Sequence, residues 1–304
     1  MKNYNYVYGP VPSRRMGLSL GVSPIPQKYC NYSCVYCQLG RTKHMKHKRK
    51  DFFPIKEIVD EARNCLQQNP PIEGEPTLYL HLGELIISLK KLTPKPVAVI
   101  TNGALLHEKA VREELKNADI VLPSLDACDN DTFKKVNRPF GKLDFSTVYE
   151  GLQAFSQEFS GQLWPEIMLV KGLNDSDNNL SQMKKLLGDL KYDRLYVNTP
   201  IRPPAESWVE TLSAESMQKA ADFLDGTSID LPVTDGFFSE IEDDCQAINS
   251  IIKRHPMNQH EISNFLKQRG CKDITSVLQR LSQSKTIEKI SYKGYETYRG
   301  ISPA

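Results

Sequence analysis

The chain has 304 residues, 39% hydrophobic and 25% charged, the balance of an ordinary globular protein. No apolar run approaches the roughly 18 residues a membrane span needs, and Met1-Lys2-Asn3-Tyr4 leads into no signal-peptide core, so a cytoplasmic chain with reduced thiols is expected. The net charge of +2 is uneven: residues 41–50 carry +6, residues 250–304 carry +6 and the rest −10, an asymmetry that suits a polyanionic partner.

In chain order, residues 1–28 are rich in Pro, Gly and Ser and read as an irregular lead-in with a first strand at Leu18-Ser19-Leu20-Gly21-Val22. A cysteine-bearing loop follows at Tyr29 to Cys37. The run Arg41 to Lys50 is so densely basic that like charges should keep it a mobile loop, or a phosphate-contacting arm. Pro54 to Gln68 has helical spacing, with Ile55, Ile58, Val59, Ala62 and Leu66 on one face. Pro70 and Pro71 then argue against a central strand ahead of Gly74, because proline cannot donate to a ladder.

From Leu82 onward, helical patterns alternate with short apolar runs. Helices are expected at 82–89, 107–116, 145–159, 178–190 and 212–224, and a short helix or turn at 131–138. The runs are Val97 to Ile100, Asp119 to Leu122, Trp164 to Val170 and Arg194 to Val197, and this alternation implies a parallel sheet. Polar residues cluster at the strand ends, at Asn102, Ser124, Asp126 and Asn198, where α/β barrels place ligands. Residues 226–245 read as a linker between a barrel at 1–225 and a smaller domain at 246–304. In the smaller domain, helices are expected at 241–254, at 258–268 capped by Asn258, and after the cap Asp273. A hairpin turning at Lys293-Gly294 follows. That order resembles a winged helix, with Lys272, Gln279, Arg280 and Lys285 exposed, and both nucleic acid and protein partners stay open.

Cys30, Cys34 and Cys37 lie in a C-x3-C-x2-C pattern. In a reducing compartment such spacing points to metal binding or catalysis rather than disulfides. Three thiolates on one loop can hold three irons of a four-iron cluster and leave the fourth open for a chelating ligand. Zinc is the competing metal, but it would need a fourth ligand, and the nearest, His44, lies in the basic run. Cys65, Cys128, Cys245 and Cys271 are scattered and read as small buried side chains.

Further motifs occur in order: Ser13-Arg14-Arg15, Gly74-Glu75-Pro76-Thr77-Leu78, Thr101-Asn102-Gly103, Leu122 to Ala127, Asn137-Arg138-Pro139, Leu169-Val170-Lys171-Gly172, and Asn198 to Glu206. Together with the cysteines they resemble the radical S-adenosylmethionine (SAM) superfamily, in the branch related to the wybutosine-synthesising tRNA enzymes. The resemblance covers roughly residues 6 to 224. It implies a partial (β/α)6 barrel, here with its second strand shortened or missing. It also implies one [4Fe–4S] cluster on Cys30, Cys34 and Cys37, with SAM on the open iron and cleaved to a 5′-deoxyadenosyl radical. Tyr36 would pack near adenine, and Gly74, Glu75 and Pro76 would meet the SAM amino group. Asn102, Ser124, Asp126 and Asn198 would complete the cofactor site. Lys171 would pair with a carboxylate or, with a pKa lowered by burial, form a Schiff base. A reduced flavodoxin or ferredoxin would supply electrons. No cysteine precedes Cys30, which argues against wybutosine synthesis itself. The substrate expectation is RNA, with a protein, peptide or small molecule as the alternative. A degenerate barrel that only binds, through the winged helix, is the reading outside enzymology.

Overall fold

The computed structural model describes residues 6–65, 74–229, 237, 239, 241–252 and 255–301. These fall into two compact units, those within Met1–Ser23, Lys56–Glu73 and Leu231–Ala304, and those within Pro24–Ile55 and Gly74–Asp230. No helix among the described residues is long and apolar enough to cross a membrane.

In the first unit, β1 (Val7–Ser13) and β2 (Gly17–Val22) form an antiparallel hairpin, irregular between Tyr8 and Val11. The lead-in is therefore not irregular throughout. Its prolines disguise a strand whose other groups still pair. The helix α1 (Ile55–Cys65) buries Ile58 and Ala62. The end of the expected helix and the segment ahead of Gly74 lie outside the described residues, so the shortened second strand does too.

In the second unit, β3 (Tyr29–Cys30) pairs in parallel with β4 (His44–Met45), which closes the cysteine loop at its base. Beyond it, α2 (Leu82–Leu92), α3 (Lys109–Leu115), α4 (Asn130–Val136), α5 (Phe145–Glu158), α6 (Asp177–Gly188) and α7 (Ala214–Phe223) alternate with short parallel strands. The strands β5 (Ala98–Thr101), β6 (Ile120–Pro123) and β7 (Gln162–Leu163) form one sheet. The strands β8 (Glu166–Met168), β9 (Tyr196–Asn198) and β10 (Thr227–Ser228) form another. A parallel bridge from Ser124 to Glu166 links them. The expected strand at 164–170 is shortened to β8, which starts after Pro165; that proline has no N–H, although its carbonyl still accepts from Tyr196 N at 3.0 Å. Strand β6 is buried along its length, as parallel strands covered on both faces are. Strand β10 falls where a linker was expected; two residues are too short to show a pattern.

The first unit resumes with α8 (Asp244–Ile252), β11 (Met257–Asn258), α9 (Gln259–Gln268), α10 (Ile274–Ser282), β12 (Ile287–Tyr292) and β13 (Tyr295–Gly300). Ile248, Met257, Ile262, Phe265, Val277 and Tyr298 share its core. Asn258 caps α9 through a reciprocal capping box: its Oδ1 accepts from Glu261 N at 3.0 Å, and Glu261 Oε2 accepts from Asn258 N at 2.7 Å. Strands β12 and β13 pair in register up to Tyr292 opposite Tyr295, leaving Lys293 and Gly294 as a two-residue turn. Both have positive φ, 53° and 77°, the geometry that matches strand twist and favours glycine.

Candidate functional site

The cysteine loop is pinned along its backbone. Ser33 N donates to Asn137 O at 3.0 Å, Val35 N to Val136 O at 2.9 Å, and Phe140 N to Asn31 O at 2.8 Å, so the end of α4 templates the loop. Cys37 N donates to Cys34 O at 3.2 Å, the turn that brings the last two cysteines together. Cys30, Cys34 and Cys37 are all free thiols and half-buried.

The donors around these sulfurs come from three elements. Tyr32 N lies 3.4 Å and Asn102 Nδ2 3.5 Å from Cys30 Sγ, and Asn137 Nδ2 lies 3.6 Å from Cys34 Sγ. Hydrogen bonds of this kind favour thiolate over thiol. Burial outweighs them at the protonated thiols. It pushes the Cys30 thiol up to about 12, with the Glu75 charge adding to the rise, and holds Cys34 well above its ordinary value.

Glu75 is the hub on one side of the loop. Its buried carboxylate accepts from Thr77 N at 3.1 Å, Thr77 Oγ1 and Thr101 Oγ1 both at 2.6 Å, and Asn102 N at 2.7 Å. Its own N–H donates to Tyr29 O at 3.3 Å, tying the turn to β3. Gly74 has φ +79°, and a Cβ there would lie 2.5 Å from Tyr29 O, so only glycine fits. Pro76 opens a 3-10 turn at Pro76–Leu78. Asn102 Nδ2 donates to Asn31 Oδ1 at 2.6 Å and its Oδ1 accepts from Ala104 N at 3.0 Å, so it orients the loop.

Asp126 is the hub on the other side. Tyr36 Oη donates to it, as do Asn137 Nδ2 at 2.7 Å and Met168 N at 2.9 Å. Burial still pushes its carboxyl up to about 6. Tyr36 is thus tethered by its hydroxyl. Ser124 and Asp126, with Tyr32, Phe133 and Asn137, line a cavity of about 20 Å³, room for about one water.

Two predicted residues stand apart. Asn198 Nδ2 donates to Glu166 Oε1 at 3.0 Å and its Oδ1 accepts from Thr199 N at 2.9 Å, within the β8–β9 sheet. Lys171 is exposed, with Nζ 2.6 Å from Glu210, and that carboxylate raises its pKa. The lowered pKa that a Schiff base needs is absent; the carboxylate pairing is what the structure holds.

The basic run is docked, which corrects the mobile-loop expectation. Arg41 pairs with Glu206 at 2.7 Å, Thr42 Oγ1 donates to Tyr32 O at 2.6 Å, and His47 stacks on Phe140 at 4.3 Å. Arg49 pairs with Glu114 at 2.6 Å and caps Thr77 O at 3.0 Å. Attraction to fixed carboxylates outweighs repulsion among neighbours. Glu206, which also pairs with Arg138, donates its N–H to Val35 O at 3.2 Å and so clamps the cysteine loop from outside. Asn137 and Glu206 lie within motifs that by themselves give them no part in the site, and Asn31 carries no sequence signal of its own. Their partners are distant in the chain and leave no local signal.

The donor set fits a cluster. Asn31 Nδ2 and Tyr32 Oη are buried beside the sulfurs without a protein partner, and a sulfide-bearing group offers acceptors to such donors.

The Radical SAM superfamily model matches residues 25–182. The UPF0026 protein of Helicobacter pylori (strain J99) is 34% identical over 95% of this chain and 96% of its own. GTPase Obg of Brachyspira hyodysenteriae is 35% identical over 96% of this chain, which spans only 45% of that protein's length. A solved structure of TYW1 with a lysine-pyruvate adduct bound shares the fold, with a TM-score of 0.53 at 19% identity over 69% of this chain and 73% of that one. The chain belongs to the radical SAM superfamily, whose members use a [4Fe–4S] cluster and S-adenosylmethionine.

Proposed function

We propose that this chain is a radical SAM enzyme in which Cys30, Cys34 and Cys37 hold one [4Fe–4S] cluster and the substrate is an RNA. The observation that carries the reading is the set of amide donors aimed at the cysteine sulfurs, from Tyr32, Asn102 and Asn137. Cys30, Cys34 and Cys37 would hold the cluster, and once reduced by a flavodoxin or ferredoxin it would supply the one electron that converts SAM into methionine and a 5′-deoxyadenosyl radical. The protein residues hold and orient. Gly74, Glu75 and Pro76 form the turn that would meet the SAM amino group, with Glu75 fixing it to β3 and to Asn102. Ser124 and Asp126 stand at strand ends facing the same side chains, and Tyr36 is fixed against Asp126.

The RNA assignment rests on charge. The run at 41–50 displays lysines beside the cysteine loop, and residues 250–304 add a second basic region. In that region α8, α9, α10 and the β12–β13 hairpin follow in the order of a winged helix, with Lys272, Gln279, Arg280 and Lys285 exposed on or beside α10.

The test is anaerobic reconstitution with iron and sulfide, then dithionite and SAM, with 5′-deoxyadenosine quantified. A Cys30→Ala/Cys34→Ala/Cys37→Ala variant runs alongside. Cluster-dependent 5′-deoxyadenosine supports the reading. No cluster, under conditions that load a known relative, sinks it and directs attention to binding by the C-terminal elements.

A further inference from the structure

Trp208 follows β9 and is 52% exposed, whereas the other tryptophan, Trp164, is 6% exposed. Water is a poor environment for an indole, so its surroundings matter. The Arg138 guanidinium lies 6.0 Å from the ring centre. Arg138 and Arg41 both pair with Glu206, two residues before Trp208, so two guanidiniums meet one carboxylate and positive charge is left at the ring. Glu206 N–H donates to Val35 O, which fixes this group to the cysteine loop.

Arg41 also opens the basic run, whose side chains alternate from Met45 to Lys50. Thr42, Met45, His47 and Arg49 are half-buried, while Lys46, Lys48 and Lys50 are exposed. The exposed lysines sit on a segment anchored at Arg41 by the Glu206 clamp, at His47 by its stack on Phe140 and at Arg49 by its pair with Glu114. An exposed aromatic plane and a basic segment, tied here to one cysteine loop through Glu206, are the two parts with which a protein engages a single strand, bases on the ring and phosphates on the charges.

We infer that Trp208 is a base-stacking platform for single-stranded RNA, whose backbone follows Lys46, Lys48 and Lys50. It sets a nucleotide beside the cysteine loop. This rests on the RNA reading above and adds where the strand is held.

The test is binding by the full-length reconstituted protein at low salt, read by tryptophan emission. The probes are a mixed-sequence RNA oligonucleotide, the same sequence as single-stranded DNA, and inorganic polyphosphate, which has charge but no bases. RNA is expected to quench emission saturably, and polyphosphate to bind without quenching. Trp208→Phe should keep RNA affinity within about threefold, and Trp208→Ala should weaken it by at least about fivefold, the lower end for loss of one stacked base. Equal affinity for DNA would overturn the RNA assignment. Unchanged emission on RNA binding, with Trp208→Ala binding like wild type, would overturn the platform and leave the RNA reading standing. No RNA binding at low salt would overturn both, while 5′-deoxyadenosine formation would still report on the radical chemistry.

Discussion

Asp126 and Glu206 are two of the buried carboxylates around the cysteine loop, and their surroundings shift them in opposite directions. Burial pushes Asp126 up to about 6, although Tyr36, Asn137 and the Met168 amide all donate to it. Glu206 is brought down to about 2 by hydrogen bonds from Arg41 and Arg138. Neutral donors do not offset the loss of water around Asp126, while two cations more than offset it for Glu206. The Asp126 side is therefore one titrating carboxyl held by neutral donors, next to Cys34 through Asn137. The Glu206 side is a charged clamp on the outside of the same loop.

The largest expected effect is loss of Asp126. In the metal-free full chain, Asp126→Ala strands three buried donors and should cost about 3 kcal/mol. Glu206→Ala should cost only about 1 kcal/mol, because both arginines are partly exposed and water can take the carboxylate's place. Urea denaturation of the two variants checks the order. A larger loss for Glu206→Ala would mean that the clamp, not the buried network, holds the loop.

The next effect separates the two groups by pH. An acid whose folded pKa is raised binds its proton more tightly when folded. The contribution of Asp126 is best below its unfolded pKa of about 3.9, and stability falls as pH rises to about 6. Tyr36, Cys34 and Glu166 face it and add no positive charge that would reverse the sign. Glu206 has the opposite sign: its stabilisation is fully present above an unfolded value of about 4.3 and is lost only as pH falls toward about 2. Between pH 5 and 7 wild type should lose stability that Asp126→Asn does not. Glu206→Gln should keep the wild-type slope. A slope that survives in Asp126→Asn would assign it to another group.

Much of the fold is legible in the chain, and this comparison is not, for a physical reason. Asn258 and Glu261 sit three apart and cap a helix wherever that helix packs. Lys293-Gly294 makes its turn from local backbone preference. Ile120-Val121-Leu122 reads as a covered strand because each residue is apolar. The site is built from long-range pairs: Arg41 meets Glu206 across 165 positions, Tyr36 meets Asp126 across 90, and Asn102 meets Cys30 across 72. The basic run looked mobile for that reason. Its repulsions are local and visible, whereas the carboxylates that fix it lie far along the chain. The polar residues at strand ends were found, because strand direction places them, but which of them organise the loop depends on the partner each one meets.

The smallest expected effect divides the clamp itself. Arg41 contacts Glu206 through two bonds, 2.8 Å from Nε and 2.7 Å from Nη2, but its side chain is 72% exposed. Arg138 is 39% exposed, lies near the Trp208 ring and precedes Pro139 in the segment that templates the cysteine loop. Exposure lets salt screen Arg41 more fully, so geometry alone overstates its worth. Arg41→Ala should leave the urea midpoint close to wild type, and the small difference should vanish at high salt. Arg138→Ala should lower the midpoint by more, about 1 kcal/mol, and keep part of that loss in salt because packing goes with the charge. If Arg41→Ala proves the more damaging, the two-bond fork rather than burial sets the strength of the clamp. The low pKa of Glu206 should then rise most in that variant.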